Sequence, residues 1–380
     1  MKSVFHAILL AQVLLVHSTN PEVSCEATKK KVTLMSRDNV FFTKTQPLVI
    51  GHRGNPKIFQ ENTLEGYKSL LDLNVDGFET DIFLTKDNNL VLFHDVKTEK
   101  LTGVNHNIME MNYDEIEKLS IKKELRYGDQ VYTFSKVEKI PLLKELLKMM
   151  KDSGLLMILE MKPSMPPYNL THSKRTGIKV AKMVQEMGIE KQVVLSSFDP
   201  FKIYHARKQL PSLNTCFLHR KDYWDDVMFA SLMKADLEEL EGFKDCAKNV
   251  PPLELGKFTL ENPTLAKAIG ASSLDMSYEM YNNPRYSNKT YDMFKNNYGT
   301  QFSYGAWTIY KMSLNEVQLE ESEEHVKSLI TNNAGRLYTD DIPRLLNKLG
   351  RPVHRNSAQP TKLFQTQHYV VLALCLYLFL

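Results

Sequence analysis

The chain has 380 residues, of which 43% are hydrophobic and 24% charged, and its formal net charge is +3. A chain of this size and composition can bury a full core, either as one large barrel or as two smaller domains. Its basic run, Lys29 to Lys31, has no interleaved aromatic residues, which argues against a nucleic-acid partner.

The first residues predict a secretory signal peptide over 1–19, followed by an N-terminal extension over 20–45. Met1-Lys2 leads into an apolar stretch from Val4 to Val16, and small polar residues follow it. The stretch is too short to span a bilayer. A buried first helix is the alternative.

The last residues predict a lipid-anchor signal. Residues 369–380 are apolar to the end, a polar spacer occupies 350–368, and the small residues beginning at Asn356 suggest an attachment site there. The tail falls short of the roughly twenty residues that a membrane helix needs. We therefore expect an extracellular protein, GPI-anchored to the outer leaflet of the plasma membrane, or secreted if the tail is not an anchor signal.

Export from the cell would allow a disulfide bond and would allow glycosylation at two Asn-x-Thr triplets. Loss of the tail removes Cys375, and Cys216 with Cys246 is then the expected disulfide pair, with free buried thiols as the alternative. Asn169 and Asn288 each begin an Asn-x-Thr triplet and are predicted glycan acceptors, although such triplets are common by chance.

Short apolar strands alternate with helical patterns over residues 46–349. The predicted strands are 47–51, 78–84, 90–93, 155–159, 193–196, 272–276, 302–309 and 336–339, and the predicted helices are 63–73, 141–150, 176–187, 200–209 and 316–330. Sustained alternation predicts an α/β fold with a parallel sheet, and the number of strands favours a closed (βα)8 TIM barrel.

Two long stretches, 96–139 and 223–258, interrupt the alternation. The first is polar, and the second is acidic and rich in leucine. We expect both to be insertions over the C-terminal face of the barrel that shape the substrate pocket, with surface decoration as the alternative.

Five titratable residues close or follow predicted strands, at the ends where reactive groups collect in a barrel of this kind. These residues are His52, Glu79, Asp81, His94 and Glu160. Glu79 and Asp81 are two residues apart, so they leave one face of a strand and repel each other unless a cation separates them. With Glu160 as a third oxygen ligand, the set favours Mg²⁺ or Ca²⁺ over zinc.

The two histidines suit acid-base catalysis on a phosphodiester. One would accept a proton from the attacking oxygen, and the other would protonate the departing alkoxide. Arg53 and Lys162 would hold the phosphate charge. The residues alone do not assign base and acid between His52 and His94.

These residues lie in motifs that resemble those of the glycerophosphodiester phosphodiesterases. The motifs are Gly51-His52-Arg53-Gly54, Glu61-Asn62-Thr63, Gly77-Phe78-Glu79-Thr80-Asp81, Phe93-His94-Asp95, Glu160-Met161-Lys162, Trp307-Thr308 and Thr339-Asp340. The resemblance implies the family's (βα)8 barrel, a divalent ion on Glu79, Asp81 and Glu160, and His52 with His94 as the acid-base pair. It implies phosphate contacts from Arg53 and Lys162, and it adds Glu61, beside the metal site, and Trp307 to the substrate-binding residues.

The resemblance also implies a reaction. The neighbouring glycerol hydroxyl attacks phosphorus, and water opens the resulting cyclic phosphate to give glycerol phosphate and an alcohol. Tyr310 departs from the family pattern and is expected near the pocket mouth, where it would bear on the substrate. Phospholipase D-like action on lysophospholipids or glycolipid anchors is therefore an alternative, and a catalytically silent surface binding protein is an alternative of another class.

Overall fold

The computed structural model describes residues 25–36, 39–43, 47–163, 167–220, 226–281, 283 and 290–355. The predicted signal peptide, Asn288, and the anchor site Asn356 with its apolar tail lie outside the described residues. Within the described ranges, no helix has both the length and the apolar character needed to cross a bilayer.

The strands form a closed parallel barrel, which confirms the predicted (βα)8 fold. In chain order the strands are β1 (Leu48–Gly51), β2 (Gly77–Leu84), β3 (Leu90–Leu92), β4 (Glu124–Tyr127), β5 (Gln130–Thr133), β6 (Leu156–Met161), β7 (Val193–Ser197), β8 (Asn214–His219), β9 (Ser273–Ser277), β10 (Ser303–Ile309) and β11 (Arg336–Thr339). All but β3, β4 and β5 belong to the barrel, and β1 closes it by pairing in parallel with both β11 and β2.

Two strand predictions differ from the structure. The predicted strand at 90–93 is β3, which runs antiparallel to the end of β2 rather than forming part of the barrel wall. The barrel strand β8 was not predicted, because its residues Asn214 to His219 mix polar and apolar types without a clear period. The apolar run of β3 alone does not give its direction, but the short connection over residues 85–89 allows only an antiparallel neighbour of β2.

The α-helices follow the strands around the outside of the barrel or belong to the insertions. They are Leu64–Lys68, Glu99–Thr102, Tyr113–Ile116, Leu143–Met150, Leu170–Met187, Pro200–Gln209, Val227–Leu237, Leu255–Glu261, Thr264–Ile269, Thr290–Met293, Glu316–Thr331 and Ile342–Lys348. The longest, Leu170–Met187, is capped by Asn169, whose side chain accepts a hydrogen bond from the backbone N–H of His172. Asn169 is itself exposed, as a glycan acceptor would have to be.

A buried ion pair fills part of the barrel interior. The Arg336 guanidinium donates to Asp275 through Nη2 at 2.6 Å and Nε at 3.1 Å, and the Tyr338 hydroxyl donates to the same carboxylate. Arg336 and Asp275 are fully buried. Since each charge has its counter-charge and its hydrogen bonds, the interior keeps a charged pair without an unpaired ion.

The disulfide differs from the expected one. Cys246 bonds to Cys25, while Cys216 is a free thiol buried on β8. The prediction chose two cysteines near each other in sequence, but the N-terminal extension runs beside the second insertion, where Ala27 N donates to Gly242 O at 2.9 Å. The bond fastens the extension to that insertion.

The first insertion folds as a subdomain beside the β2–β3 hairpin. Its apolar side chains, including Ile108, Ile116 and Leu125, join Phe83 and Phe93 in a core separate from that of the barrel. Its strands β4 and β5 form an antiparallel hairpin. The shared apolar core therefore fixes the first insertion, with its β4–β5 hairpin, against the β2–β3 hairpin.

Candidate active site

Strands β2 and β6 bring three carboxylates together. Glu79 and Asp81 leave the same face of β2, and Asp81 is the register partner of Glu160 on β6. One oxygen atom of each residue lies within 4.8 Å of the others. All three side chains are buried, so the triad predicted from the sequence assembles inside the mouth of the barrel.

Two cations share this space with four acids. The acids are Glu61, Glu79, Asp81 and Glu160. Arg53 Nη1 lies 3.0 Å from Glu61 and its Nε 3.4 Å from Asp81, while Lys162 Nζ lies 2.7 Å from Glu160 and 3.2 Å from Asp81. Four formal negative charges against two positive ones leave an excess that a divalent cation would balance.

Glu79 is the least satisfied member of the triad. Its Oε2 accepts from the backbone N–H of Arg53 at 3.0 Å, but no described residue donates to its buried Oε1. Burial and the charges of Asp81 and Glu160 raise the pKa of Glu79 well above its ordinary value. The carboxylate cluster has excess negative charge and one buried oxygen, Glu79 Oε1, without a described hydrogen-bond donor. Both features fit a hard divalent cation.

Each histidine is held by a carboxylate at Nδ1. His52 Nδ1 lies 2.7 Å from Asp340 Oδ1, and His94 Nδ1 lies 2.6 Å from Asp95 Oδ1. With Nδ1 hydrogen-bonded to the carboxylate, Nε2 of each imidazole is the ring nitrogen left to exchange a proton with a substrate. His52 Nε2 lies 3.9 Å from Glu79 Oε2, so it faces the triad.

The antiparallel hairpin places His94. Strand β3 returns alongside β2, and Phe93 N donates to Asp81 O at 3.1 Å, which sets the next residue beside the carboxylates. Burial and the positive charges of Arg53 and Lys162 keep the pKa of His94 well below its ordinary value. The imidazole of His94 is therefore neutral near neutral pH.

Several residues that position the site were not singled out from the sequence. Asn62 donates to Asp81 Oδ2 at 2.8 Å and accepts from the backbone N–H of Asp81 at 3.1 Å, so it holds both the carboxylate and the backbone of that residue. The Tyr127 hydroxyl donates to Glu61 Oε2 at 2.6 Å. Glu61 therefore uses one oxygen on Tyr127 and the other on Arg53, which makes it a positioning residue for the guanidinium.

These omissions have different causes. Asn62 and Asp340 lie within the recognised motifs, so their motif positions were a usable signal for a role in the site. Tyr127 lies in the first insertion, where neither periodicity nor a motif marks it. Its contact with Glu61 spans 66 residues and depends on how the insertion folds back.

Two aromatic residues near the end of β10, Trp307 and Tyr310, have different surroundings. The Trp307 ring packs edge-on against Phe198, with centroids 5.5 Å apart. Tyr310 is fully buried, and the Arg344 guanidinium covers its ring at 4.6 Å. The expectation that Tyr310 lies near the pocket mouth is wrong, because its side chain points into the helix layer.

A cavity opens beside His52, Arg53 and His94, and the first insertion forms part of its wall as expected. The wall consists of Lys100, Arg126, Tyr127 and Gly128 from the insertion, and of Lys311, Met312 and Ser313 from the loop after β10. The described part of the second insertion supplies none of the lining residues and lies beside the N-terminal extension instead.

The two parts of the wall touch at Gly128. This residue has φ 58°, and a Cβ atom on it would lie 2.9 Å from the Ser313 carbonyl oxygen. The Tyr132 hydroxyl donates to Met312 O at 3.3 Å, and Met312 N donates to Asp340 Oδ2 at 2.8 Å. The β4–β5 hairpin therefore contacts the loop after β10, and that loop is hydrogen-bonded to Asp340, the carboxylate that bonds His52.

Replacing Gly128 with alanine is expected to push the hairpin away from this loop. We expect kcat/KM to fall about tenfold on a phosphodiester substrate, since small displacements of positioning groups cost that much or more. Gly103→Ala is the matched control, because Gly103 has φ 82° in the same insertion but its added Cβ would meet nothing nearer than 3.8 Å. Both variants lose about 1 kcal/mol of stability through left-handed backbone strain. Equal activity in the two variants would contradict the role of the contact.

The chain matches the glycerophosphoryl diester phosphodiesterase family over residues 52–253, more than half of its length. A glycerophosphodiester phosphodiesterase of Caldanaerobacter subterraneus subsp. tengcongensis is 31% identical over 175 residues, which are 46% of this chain and 67% of that protein. The lysophospholipase D GDPD1 of Homo sapiens is 32% identical over 99 residues, which are 26% of this chain and 32% of that protein. The chain thus spans about two thirds of the bacterial relative and one third of the human one.

Solved structures share the fold. A crystal structure from Silicibacter pomeroyi, described as a glycerophosphoryl diester phosphodiesterase, superposes with a TM-score of 0.58 over 80% of this chain and 93% of that chain, at 22% sequence identity. The 80% of the chain that this likeness covers exceeds the stretch of the family match, residues 52–253. This protein belongs to the glycerophosphoryl diester phosphodiesterase family, a family of phosphoric diester hydrolases.

Proposed function

We propose that this protein hydrolyses glycerophosphodiesters, such as glycerophosphocholine, to glycerol 3-phosphate and an alcohol with the help of a divalent cation. The observation that carries the proposal is the meeting of two carboxylate-bound histidines and three buried acids at one barrel mouth. A site built only for stability has little use for mutually repelling buried acids. Membership of the glycerophosphoryl diester phosphodiesterase family supports phosphoric diesters as the substrates of this acid-base site.

The residues present fit a hard cation. Glu79, Asp81 and Glu160 offer three clustered oxygen ligands and no sulfur, which suits Mg²⁺ or Ca²⁺. When bound there, such an ion supplies positive charge beside the phosphoryl oxygens and the departing alkoxide. Lys162, which lies against two of these acids, would remain nearby as a second positive charge.

The protein's own residues would divide the remaining work. One imidazole Nε2 would accept the proton of the attacking glycerol hydroxyl, and the other would deliver a proton to the departing alkoxide, which leaves a cyclic phosphate. Water would then open this ring to glycerol phosphate, with the two imidazoles exchanging roles as base and acid. The Arg53 guanidinium, fixed by Glu61, would grip the phosphate, since a planar guanidinium suits two oxygens at once. Because Arg53 and Glu61 are held before substrate binds, little reorganisation is needed on binding.

We also propose that the enzyme acts outside the cell, anchored to the plasma membrane by a lipid attached near Asn356. The Cys25–Cys246 disulfide supports an oxidising compartment. Treatment of cells expressing the full chain with phosphatidylinositol-specific phospholipase C should release it into the medium. Retention on the cells, with an intact transmembrane tail by mass spectrometry, would refute the anchor.

A substrate panel tests the proposed activity. Purified protein is given glycerophosphocholine or lysophosphatidylcholine, with and without EDTA, and the products are identified. We expect choline and glycerol phosphate from the first substrate, loss of turnover in EDTA, and recovery when Mg²⁺ or Ca²⁺ is restored in excess. Faster release of choline from lysophosphatidylcholine would favour the lysolipid alternative, which the likeness to a lysophospholipase D supports. No turnover on any diester would favour a binding protein.

A further inference from the structure

The cavity wall carries three cationic side chains beyond the two that face the acid triad. They are Lys100 and Arg126 from the first insertion and Lys311 from the loop after β10. Arg126 and Lys311 are exposed, and no described residue forms an ion pair with either. Lys100 Nζ has a distant ion-pair partner, Asp95 Oδ2 at 3.7 Å.

The acids that line the same cavity are already engaged. Glu61 is bonded by Arg53 and Tyr127, and Asp340 is bonded by His52 and by the Met312 N–H. Neither acid forms an ion pair with Arg126 or Lys311. The two cations are therefore available to an anionic group on the substrate's headgroup, which would extend from the phosphate position along this wall.

The same wall lacks what a quaternary ammonium group needs. Such groups are held against the faces of aromatic rings. Among the described residues lining the cavity, Tyr127 alone has a phenol, phenyl or indole ring, and Lys100 Nζ already lies over that ring at 4.7 Å from its centroid. A choline group in this cavity would find the Tyr127 ring already covered by Lys100, and its positive charge would be repelled by the cations of the wall.

We propose that the preferred substrates are glycerophosphodiesters whose alcohol carries a second anionic group, such as a phosphate monoester, and that Arg126 and Lys311 select them. This inference rests on the proposed phosphodiesterase function and specifies its substrate class. Arg126 precedes Gly128 and Lys311 precedes Ser313 by two residues, so the two cations line one cavity from the two parts of the wall that meet at this contact. The second anionic group stays on the departing alcohol, and the bond that breaks remains the phosphodiester bond.

The test compares headgroups that differ in charge. kcat/KM is measured for glycerophosphoinositol and glycerophosphoinositol 4-phosphate, which differ by one phosphate, and for glycerophosphocholine. We expect the phosphorylated substrate to exceed its parent about tenfold at low salt, and glycerophosphocholine to be the poorest. The advantage should shrink as NaCl is raised, because exposed charges are screened.

Variants locate the selectivity. Arg126→Gln and Lys311→Gln should each lower the ratio of the two inositol substrates two- to fivefold, and the double variant should bring it close to one. Lys151→Gln, an exposed lysine at the amino end of β6 and at the opposite end of the barrel, should leave the ratio and the activity unchanged. An equal kcat/KM for the two inositol substrates in the wild type, or a full ratio in the double variant, would overturn the inference. Failure of the wild type on every diester would overturn the proposed function itself.

Discussion

Replacing His52 with glutamine is expected to lower kcat on a glycerophosphodiester by about 10² to 10⁴-fold, the range that proton transfer by a positioned side chain contributes. Glutamine keeps a polar side chain of similar reach but cannot exchange a proton. KM should change little, because the phosphate contacts of Arg53 remain. Steady-state kinetics on purified protein measures both constants.

The partner of His52 supplies a finer test. Asp340→Asn keeps the shape of the carboxylate but can turn an N–H toward Nδ1 and favour the opposite tautomer, which blocks Nε2 as a base. We expect kcat to fall at least tenfold with thermal stability close to that of the wild type. His106→Gln, at an exposed histidine outside the site, is the matched control. Activity within a factor of three of the wild type in His52→Gln would remove this residue from the mechanism.

Replacing Glu79 with glutamine is expected to weaken Mg²⁺ or Ca²⁺ binding by at least tenfold and to lower kcat at fixed metal concentration. Glu79 is the best member of the triad to change, since neither Arg53 nor Lys162 relies on its side chain for an ion pair, and the substitution leaves no cation stranded. Isothermal titration calorimetry gives the metal affinity directly.

Thermal unfolding separates this role from a structural one. In EDTA, Glu79→Gln should melt at the same temperature as the wild type or higher, because repulsion among the buried acids is relieved. With excess Mg²⁺ or Ca²⁺ the wild type should gain stability and the variant should gain less. Asp152→Asn, at an exposed acid, should behave as the wild type does. An equal metal-induced shift in both would exclude Glu79 as a ligand.

The acid cluster was predictable because alternation along an apolar strand fixes the face of each side chain. Glu79, Asp81 and Glu160 all lie on strands whose apolar residues define their boundaries. The antiparallel direction of β3 could have been inferred, because only residues 85–89 separate it from β2 and a parallel neighbour needs a connection of a dozen residues or more. His94 reaches the site because the hairpin carries it back to Asp81.

Contacts made across the chain account for the remaining differences. The Cys25–Cys246 bond joins residues 221 positions apart, and only the path of the N-terminal extension brings them together. Tyr310 was placed in the pocket because it follows a motif, whereas its φ of 51° marks a turn in the backbone where the side chain packs beneath Arg344. Tertiary packing determines both the disulfide partner and the position of the Tyr310 side chain. Neither local periodicity nor motif spacing predicts tertiary packing.

Asp340 holds the His52 imidazole with one oxygen and the backbone of the wall loop with the other. A headgroup that binds against this loop would therefore influence Asp340, the carboxylate that orients the imidazole of His52. Binding energy from a part of the substrate remote from phosphorus can in this way be expressed in the rate of reaction as well as in affinity. A substrate truncated to glycerophosphomethanol should accordingly lose kcat, and not merely bind more weakly.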